Sequence, residues 1–347
     1  MTKLINFLAE YQREIESQPI ELDLALFSRL VGLPFEAVLT QPSAPLVEAC
    51  MKLIEFVDNE NYLILPADRQ MLEQIAFSNR YQSVQICDVV QGPHRFLAAT
   101  FVLSKTTKVI AFRGPNGTLL SWKADLHFSF SSINKLKSQA HQYLLQALQH
   151  DNQNIYCVGF SQGASIAALA CMDISDTHRH RIQTIIFDSP GLPDDHYQSP
   201  IPIIELVPPL SLFALVGEHP FHQITISSSS TGIWQHDLYS WEADSHGAFA
   251  KNIGITNPTT IQHQFIQLLP SNITDENIDR TLNVAISIFS QLNFHSTSEL
   301  IKHWNQFNAL IQTEITVENI VVKTAILHLQ KLIFKNAALN LQSIPLN

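Results

Sequence analysis

The chain reads as an α/β protein: a mainly parallel sheet with helices on both faces, extended by helical regions at both ends. Three observations predict this. Strand and helix patterns alternate from about residue 81 to 270, which is the signature of parallel strands joined by helical crossovers. The flanks, 1–80 and 271–347, carry helical spacing. Between them the apolar run Ile155-Tyr156-Cys157-Val158 leads into Gly159-Phe160-Ser161-Gln162-Gly163 and then into a helix-like stretch from Ala164 to Met172.

Taken in order, Leu4, Leu8 and Tyr11, and then Leu24, Leu26, Phe27, Leu30 and Val31, recur at helical spacing. Gly32-Leu33-Pro34 and Gln41-Pro42-Ser43-Ala44-Pro45 interrupt them as turns. In the central region, 81–270, Val84 to Val90, Phe96 to Leu103 and Lys108 to Phe112 have strand character. Leu136, Ala140, Tyr143, Leu144, Ala147 and Leu148 then share one helix face. Further strands are expected at Ile182–Phe187, Pro202–Leu206 and Gln223–Ile226. In the tail, Thr274 suits a helix N-cap, with Asp275 and Glu276 at the positive end of the dipole. Ile278, Leu282, Ala285, Phe289 and Leu292 form one stripe, and Val322, Ile326, Leu329 and Ile333 another.

Composition narrows the function classes. Of 347 residues, 46% are hydrophobic and 15% charged, enough apolar matter for a sizeable core and too little charge for a disordered chain. The net charge of −10, with no cluster of Lys and Arg, argues against nucleic acid, whose phosphates need a concentrated basic surface. The same balance disfavours permanent attachment to an anionic membrane, and leaves room for transient surface contact. Cys50, Cys87, Cys157 and Cys171 lie far apart in apolar surroundings, without CxxC or zinc spacing, as free thiols in a reducing compartment do. Residues 1–10 turn polar too soon for a secretory signal, and no run of about 18 apolar residues exists. A cytoplasmic location is the expectation.

Strand, tight turn and helix around Gly159-Phe160-Ser161-Gln162-Gly163 give the G-x-S-x-G pattern chemical meaning. In that setting the serine sits on a strained elbow with Oγ clear of the backbone. A hydroxyl is a poor nucleophile until a base takes its proton, so a histidine, an acid and an oxyanion hole are required. Among 15 histidines, His236 follows the last expected strand, where the chain order Ser, acid, His places the base. His246 and His219 are weaker candidates.

Three more segments carry a family resemblance. Phe112-Arg113-Gly114-Pro115-Asn116-Gly117-Thr118-Leu119-Leu120-Ser121-Trp122-Lys123-Ala124-Asp125-Leu126 resembles the signature of class 3 lipases, α/β-hydrolases in which a strand ending in Phe-Arg-Gly precedes a short lid helix. Phe187-Asp188-Ser189-Pro190-Gly191 resembles the end of the strand after the elbow. Gly232 to Glu242, through Trp234 and His236, is similar to a largely uncharacterised bacterial subfamily of lipase-like α/β-hydrolases. The resemblance spans roughly residues 20 to 310. It implies an α/β-hydrolase core and makes Ser161 the nucleophile and His236 the general base.

The acid departs from the class 3 pattern, which places an Asp after the strand matching Ile203 to Leu206; Val207 to Phe213 contain none. Asp188 is the first candidate, in the position used by pancreatic-type lipases, and equally suits a turn residue before Ser-Pro-Gly. Glu218 is the second choice, and Asp237 is too close to His236 to bend back onto its ring. One oxyanion donor is expected at the N–H of Gln162. The other should follow Phe112-Arg113-Gly114, where Pro115 has no N–H to give. Losing such a donor costs about 2.7–4 kcal/mol of transition-state stabilisation, so Asn116 is the candidate replacement. Leu119, Trp122 and Leu126 form an apolar stripe suited either to a lid over an acyl pocket or to packing on the sheet.

The implied chemistry is hydrolysis of a lipid or other acyl ester through an acyl-enzyme on Ser161, with no metal or organic cofactor. An acyltransferase using the same residues is the nearest rival. A pseudo-hydrolase acting as a binding module, for which Pro115 speaks, is the second.

Overall fold

A computed structural model describes residues 2–113, 133–252 and 303–327, with interruptions at 16–17, 61, 63, 94–95, 193–198, 210, 212, 216–217, 231–234 and 319, and isolated positions between 277 and 291. Four helices open the chain: α1 (Leu4–Glu10), α2 (Glu21–Leu30), α3 (Leu46–Asn59) and α4 (Pro66–Ala76). A two-residue strand, β1 (Thr2–Lys3), pairs antiparallel with β10 (Glu242–Ala243). The main sheet has eight strands in sequential order: β2 (Ser43–Pro45), β3 (Gln85–Gln91), β4 (Leu97–Val102), β5 (Thr107–Phe112), β6 (Asn154–Phe160), β7 (Ile182–Phe187), β8 (Ile203–Val207) and β9 (His222–Thr225). β2 to β5 pair antiparallel and β5 to β9 parallel. With α5 (Ile133–His150) between β5 and β6, and α6 (Gln162–Ala170) between β6 and β7, this is the α/β-hydrolase core that the sequence predicts.

The sequential order decides which helices cover which face. Each parallel connection advances one place in the same direction, and right-handed crossovers of that kind put their helices on one side. Leu136, Ala140, Tyr143, Leu144 and Leu148 of α5 are buried there with Ala164, Ala167 and Ala168 of α6, against Ala98, Ile110, Cys157 and Ile186. The amino-terminal helices pack on the opposite face, with Leu238, Trp241 and Phe249 from beyond the last strand of the main sheet. Alternate strand residues Ala99, Val109, Ala111, Val158 and Phe187 point that way and share one cluster with Leu26, Phe27, Leu30, Leu53 and Leu72. The strand interiors are consequently apolar on both sides; all six residues of β5 are buried.

α2 is buried on every side, so its polar side chains must be paired. Asp23 takes Arg80 Nε at 2.8 Å and Nη2 at 2.5 Å, the Tyr81 hydroxyl at 2.8 Å, and the N–H of Ile20 at the helix start. Arg29, in the last turn, reaches Asp68 of α4.

One turn read from the sequence is a strand. Ser43, Ala44 and Pro45 pair with Cys87, Ile86 and Gln85 as the edge strand β2. An edge position tolerates Pro45 because its missing N–H leaves one outward-facing ladder site empty. A short helix, α7 (Asp176–Arg179), precedes β7, and α8 (Trp304–Glu314) lies in the tail. Val322 and Ile326 are buried. Thr274, Asp275, Glu276, the stripe from Ile278 to Leu292, and Leu329 and Ile333 lie outside the described residues. Among the described residues no helix is long and apolar enough to cross a membrane. All four thiols are free, and Cys50, Cys157 and Cys171 are buried.

Candidate active site

Ser161 occupies the single position between β6 and α6, at φ 55° and ψ −126°. A non-glycine residue there stores on the order of 1–3 kcal/mol of backbone strain. Backbone bonds hold it: Ser161 N–H donates to the Phe187 carbonyl at 2.9 Å, and the Ser161 carbonyl accepts Ala164 N–H at 2.9 Å and Ser165 N–H at 3.4 Å. A Cβ on Gly159 would collide with the Gly163 carbonyl and lie 2.7 Å from Ala164 N, so β6 and α6 meet this closely only over a hydrogen. Gln162 begins α6, where backbone N–H groups have no acceptor inside the helix and the dipole is positive. Ser161 is 3% exposed.

The register of the sheet brings Asp188 to the same edge. Phe160 pairs with Phe187, and Phe187 with Leu206, so Ser161 and Asp188 stand just past the carboxyl ends of adjacent strands. Asp188 also has a positive φ, 45°, a conformation that Asp tolerates better than most residues, and its N–H donates to Leu206 O at 2.9 Å.

His236 arrives from the far side of the sheet. Its loop is fixed by Trp241, whose buried indole N–H donates to the Gln235 carbonyl at 2.8 Å, and by the Gln235 amide on Ser230 O at 3.0 Å. His236 Nδ1 lies 2.7 Å from Asp188 Oδ2, with both side chains wholly buried. The Phe213 ring stacks on the imidazole at 3.6 Å and 18°, and the ring of Phe160, next to the serine, lies 4.6 Å away. Phe213 is held by Ser211 Oγ, which accepts the N–H groups of Phe213 and Ala214. Burial pushes the Asp188 carboxyl above its ordinary range; the bond to His236 and the Ser211 hydroxyl work against this, and the charge of Glu205 adds to it. A buried carboxylate against Nδ1 selects the tautomer with Nε2 as the basic nitrogen.

The remaining sequence candidates lie elsewhere. Glu218 is exposed, its backbone paired with Leu192. His219 is directed at Glu205, 2.9 Å away, and His246 sits in an exposed turn on Asp244. Asp237 caps its own turn through Tyr239 N–H at 3.1 Å. Pro115, Asn116, Leu119, Trp122 and Leu126 lie outside the described residues. A cavity of about 330 Å³ lined by Cys87, Thr100, Lys108, Tyr143 and Asp151 is at the opposite end of the sheet. Its polar groups bond to each other and to the backbone: Lys108 Nζ to Asp151 and to Ala147 O, and Tyr143 O–H to Asp88 O. Among the described residues no group of three or more His, Cys, Asp or Glu side chains could hold a metal ion.

Sequence reasoning passed over Glu205. It is wholly buried in β8, inside Ile203-Ile204-Glu205-Leu206-Val207, and accepts Ser189 N–H through Oε1 at 3.0 Å. The signal was available: a lone carboxylate in a buried strand needs partners.

Among solved structures the chain is similar to the lipase of Rhizopus microsporus var. chinensis, at 14% identity over 62% of this chain and 80% of that one, with a TM-score of 0.39. A similar likeness holds for the Rhizomucor miehei lipase in its propeptide complex, at 13% identity over 61% and 73% of the two chains, with a TM-score of 0.36. No curated protein matches the sequence. A family model described as Mbeg1-like matches residues 75–286, well over half of the chain, and the protein therefore belongs to the Mbeg1-like family.

Proposed function

We propose that this protein is a serine hydrolase of carboxylic esters, with Ser161 as nucleophile, His236 as general base and Asp188 as the carboxylate that orients it. The observation that carries the reading is the 2.7 Å contact between His236 Nδ1 and Asp188 Oδ2, at the sheet edge that also bears a strained serine. Strain of this kind persists only where the surroundings over-determine it, and is concentrated at functional sites.

Ser161 Oγ attacks the acyl carbonyl carbon while its proton passes to His236 Nε2. The carbonyl oxygen becomes an oxyanion and accepts the Gln162 N–H, with Asn116 as the second donor. Collapse of the tetrahedral species expels the alcohol oxygen, protonated by the His236 imidazolium, and leaves the acyl group on Ser161. Water, deprotonated by His236, then releases the acid and restores the serine. Asp188 stabilises the imidazolium in both halves. The resemblance to class 3 lipases supports lipid or other acyl esters as substrates, with Leu119, Trp122 and Leu126 as the lid-like segment.

The test is labelling by a fluorophosphonate probe together with hydrolysis of p-nitrophenyl butyrate. Wild type is expected to label and to turn over, and Ser161→Ala to do neither. A folded wild type that stays unlabelled, or equal labelling of Ser161→Ala, ends this reading in favour of a binding module.

A further inference from the structure

We propose that Glu205 is a positioning residue that sets the turn carrying Asp188, and through it the imidazole of His236; this rests on the hydrolase reading of that pair. Three donors converge on the Glu205 carboxylate: Ser189 N–H at 3.0 Å, the Gln223 amide at 2.8 Å and His219 Nδ1 at 2.9 Å. Both Glu205 and the His219 side chain are closed to solvent.

Folding alone does not call for this arrangement. Withdrawing a carboxylate from water is costly, and a well-packed apolar residue in a buried strand serves stability as well or better. What the carboxylate does supply is an acceptor one residue after Asp188. Asp188 is held at φ 45°, a conformation that persists only where the peptides on both sides of the residue are fixed. Glu205 grips that peptide from β8. From the other side Ser189 Oγ accepts Gly191 N–H at 2.8 Å and bonds Ser165 Oγ at 3.0 Å, while Ser165 Oγ donates to Gly191 O at 2.7 Å. Ser165 is one turn along the helix that begins after Ser161. The Asp188 turn is thus clamped between the neighbouring strand and the nucleophile helix, and Glu205 is the strand-side jaw.

Two variants separate the possible roles. Glu205→Gln keeps the length and an acceptor for Ser189 N–H but removes the charge. Glu205→Asp keeps the charge but draws the oxygens back by a methylene. Each is titrated with the fluorophosphonate probe, so that kcat on p-nitrophenyl butyrate is counted per reactive serine. Since displacement by about 1 Å can cost on the order of 100-fold, Glu205→Asp is expected to lower kcat per site by roughly 10- to 100-fold with KM nearly unchanged. Glu205→Gln is expected to stay within about 3-fold of wild type, since its acceptor remains near the hydrogen-bonding distance that positioning requires. The low-field N–H proton of His236, identified by its loss in His236→Gln, should shift or broaden in Glu205→Asp only. The reverse order, aspartate active and glutamine impaired, would assign a charge role and overturn the proposal. Wild-type kcat per site in both variants, or failure of both to fold, would leave Glu205 a structural residue and also overturn it. An unlabelled wild type would instead defeat the hydrolase reading, while the His236 proton still reports on the clamp.

Discussion

Tyr239 donates its hydroxyl to Asp68 at 2.7 Å, joining the loop that carries His236 to an amino-terminal helix 171 residues earlier. Asp68 also takes the guanidinium of Arg29, Nε at 2.7 Å and Nη2 at 2.5 Å, so α2, α4 and the histidine loop meet in one buried polar knot. Helices that cover this face of the sheet are thereby coupled to the loop that carries His236. Burial and the Asp68 charge both hold the Tyr239 phenol well above its ordinary range, so it stays a donor.

The knot predicts unequal costs. Tyr239→Phe removes one hydrogen bond and leaves Asp68 on Arg29, for a loss of about 1 kcal/mol in urea unfolding. Asp68→Ala removes the carboxylate paired with the buried Arg29 guanidinium and should cost about 3–5 kcal/mol. Adding Tyr239→Phe to Asp68→Ala should change little more, because their shared partner is gone. Strict additivity of the two losses would show that they are not one network.

Asp188 should exchange stability for activity. Its carboxyl is held above the ordinary 3.8 chiefly by burial, so the native state binds this proton more tightly than the unfolded chain does. The stability it contributes is therefore complete below about pH 3.8, the unfolded value, and is lost as pH rises through the raised folded value. Asp188→Asn, which suits the positive φ equally, should be more stable than wild type at pH 7 by on the order of 1 kcal/mol. That advantage should shrink towards pH 4. Activity should move the other way, falling by about 10⁴ in kcat, because an amide donor at Nδ1 imposes the wrong tautomer. Urea titrations across pH, paired with ester hydrolysis, measure both; a variant less stable than wild type at pH 7 would contradict the burial argument.

The strands were legible because parallel strands buried on both faces are short apolar runs: Ile182–Phe187 is observed as read, and β3, β4, β5, β8 and β9 lie within a residue of their expected ends. β2 was not, since two prolines in Pro42-Ser43-Ala44-Pro45 signal a turn and only the pairing with Cys87 and Gln85 makes a strand of it. At the site, the G-x-S-x-G pattern pointed to Ser161, chain order to His236, and the position used by pancreatic-type lipases to Asp188, which stayed level with a plain turn residue. The choice between Asp188 and Glu218 turns on three-dimensional register, Phe160 opposite Phe187, which no local pattern contains. For Glu205 the sequence shows only a lone carboxylate in an apolar strand; its donors come from positions 189, 219 and 223, and only the fold brings them together.

Gly159 admits no side chain. In Gly159→Ala the new methyl meets backbone of Gly163 and Ala164 rather than a flexible side chain, so β6 and α6 must separate. Overpacking of this kind costs about 1–3 kcal/mol and would move the first turn of α6, where Gln162 N–H lies. Loss of probe labelling with a lowered unfolding midpoint is expected. Wild-type labelling at unchanged stability would mean that the approach of β6 to α6 is not what positions Ser161.

The strain at Ser161 can be read out by two substitutions that both delete the hydroxyl. At φ 55° and ψ −126°, alanine keeps the steric penalty of a Cβ, and glycine does not. Glycine also gains entropy in the unfolded chain, usually about 0.4–1 kcal/mol against it. The stored strain, on the order of 1–3 kcal/mol, should outweigh that term. Ser161→Gly should therefore unfold at higher urea than Ser161→Ala, with both inactive. If alanine proves the more stable, the elbow is relaxed in solution, and Ser161 is not held in the geometry that its proposed chemistry needs.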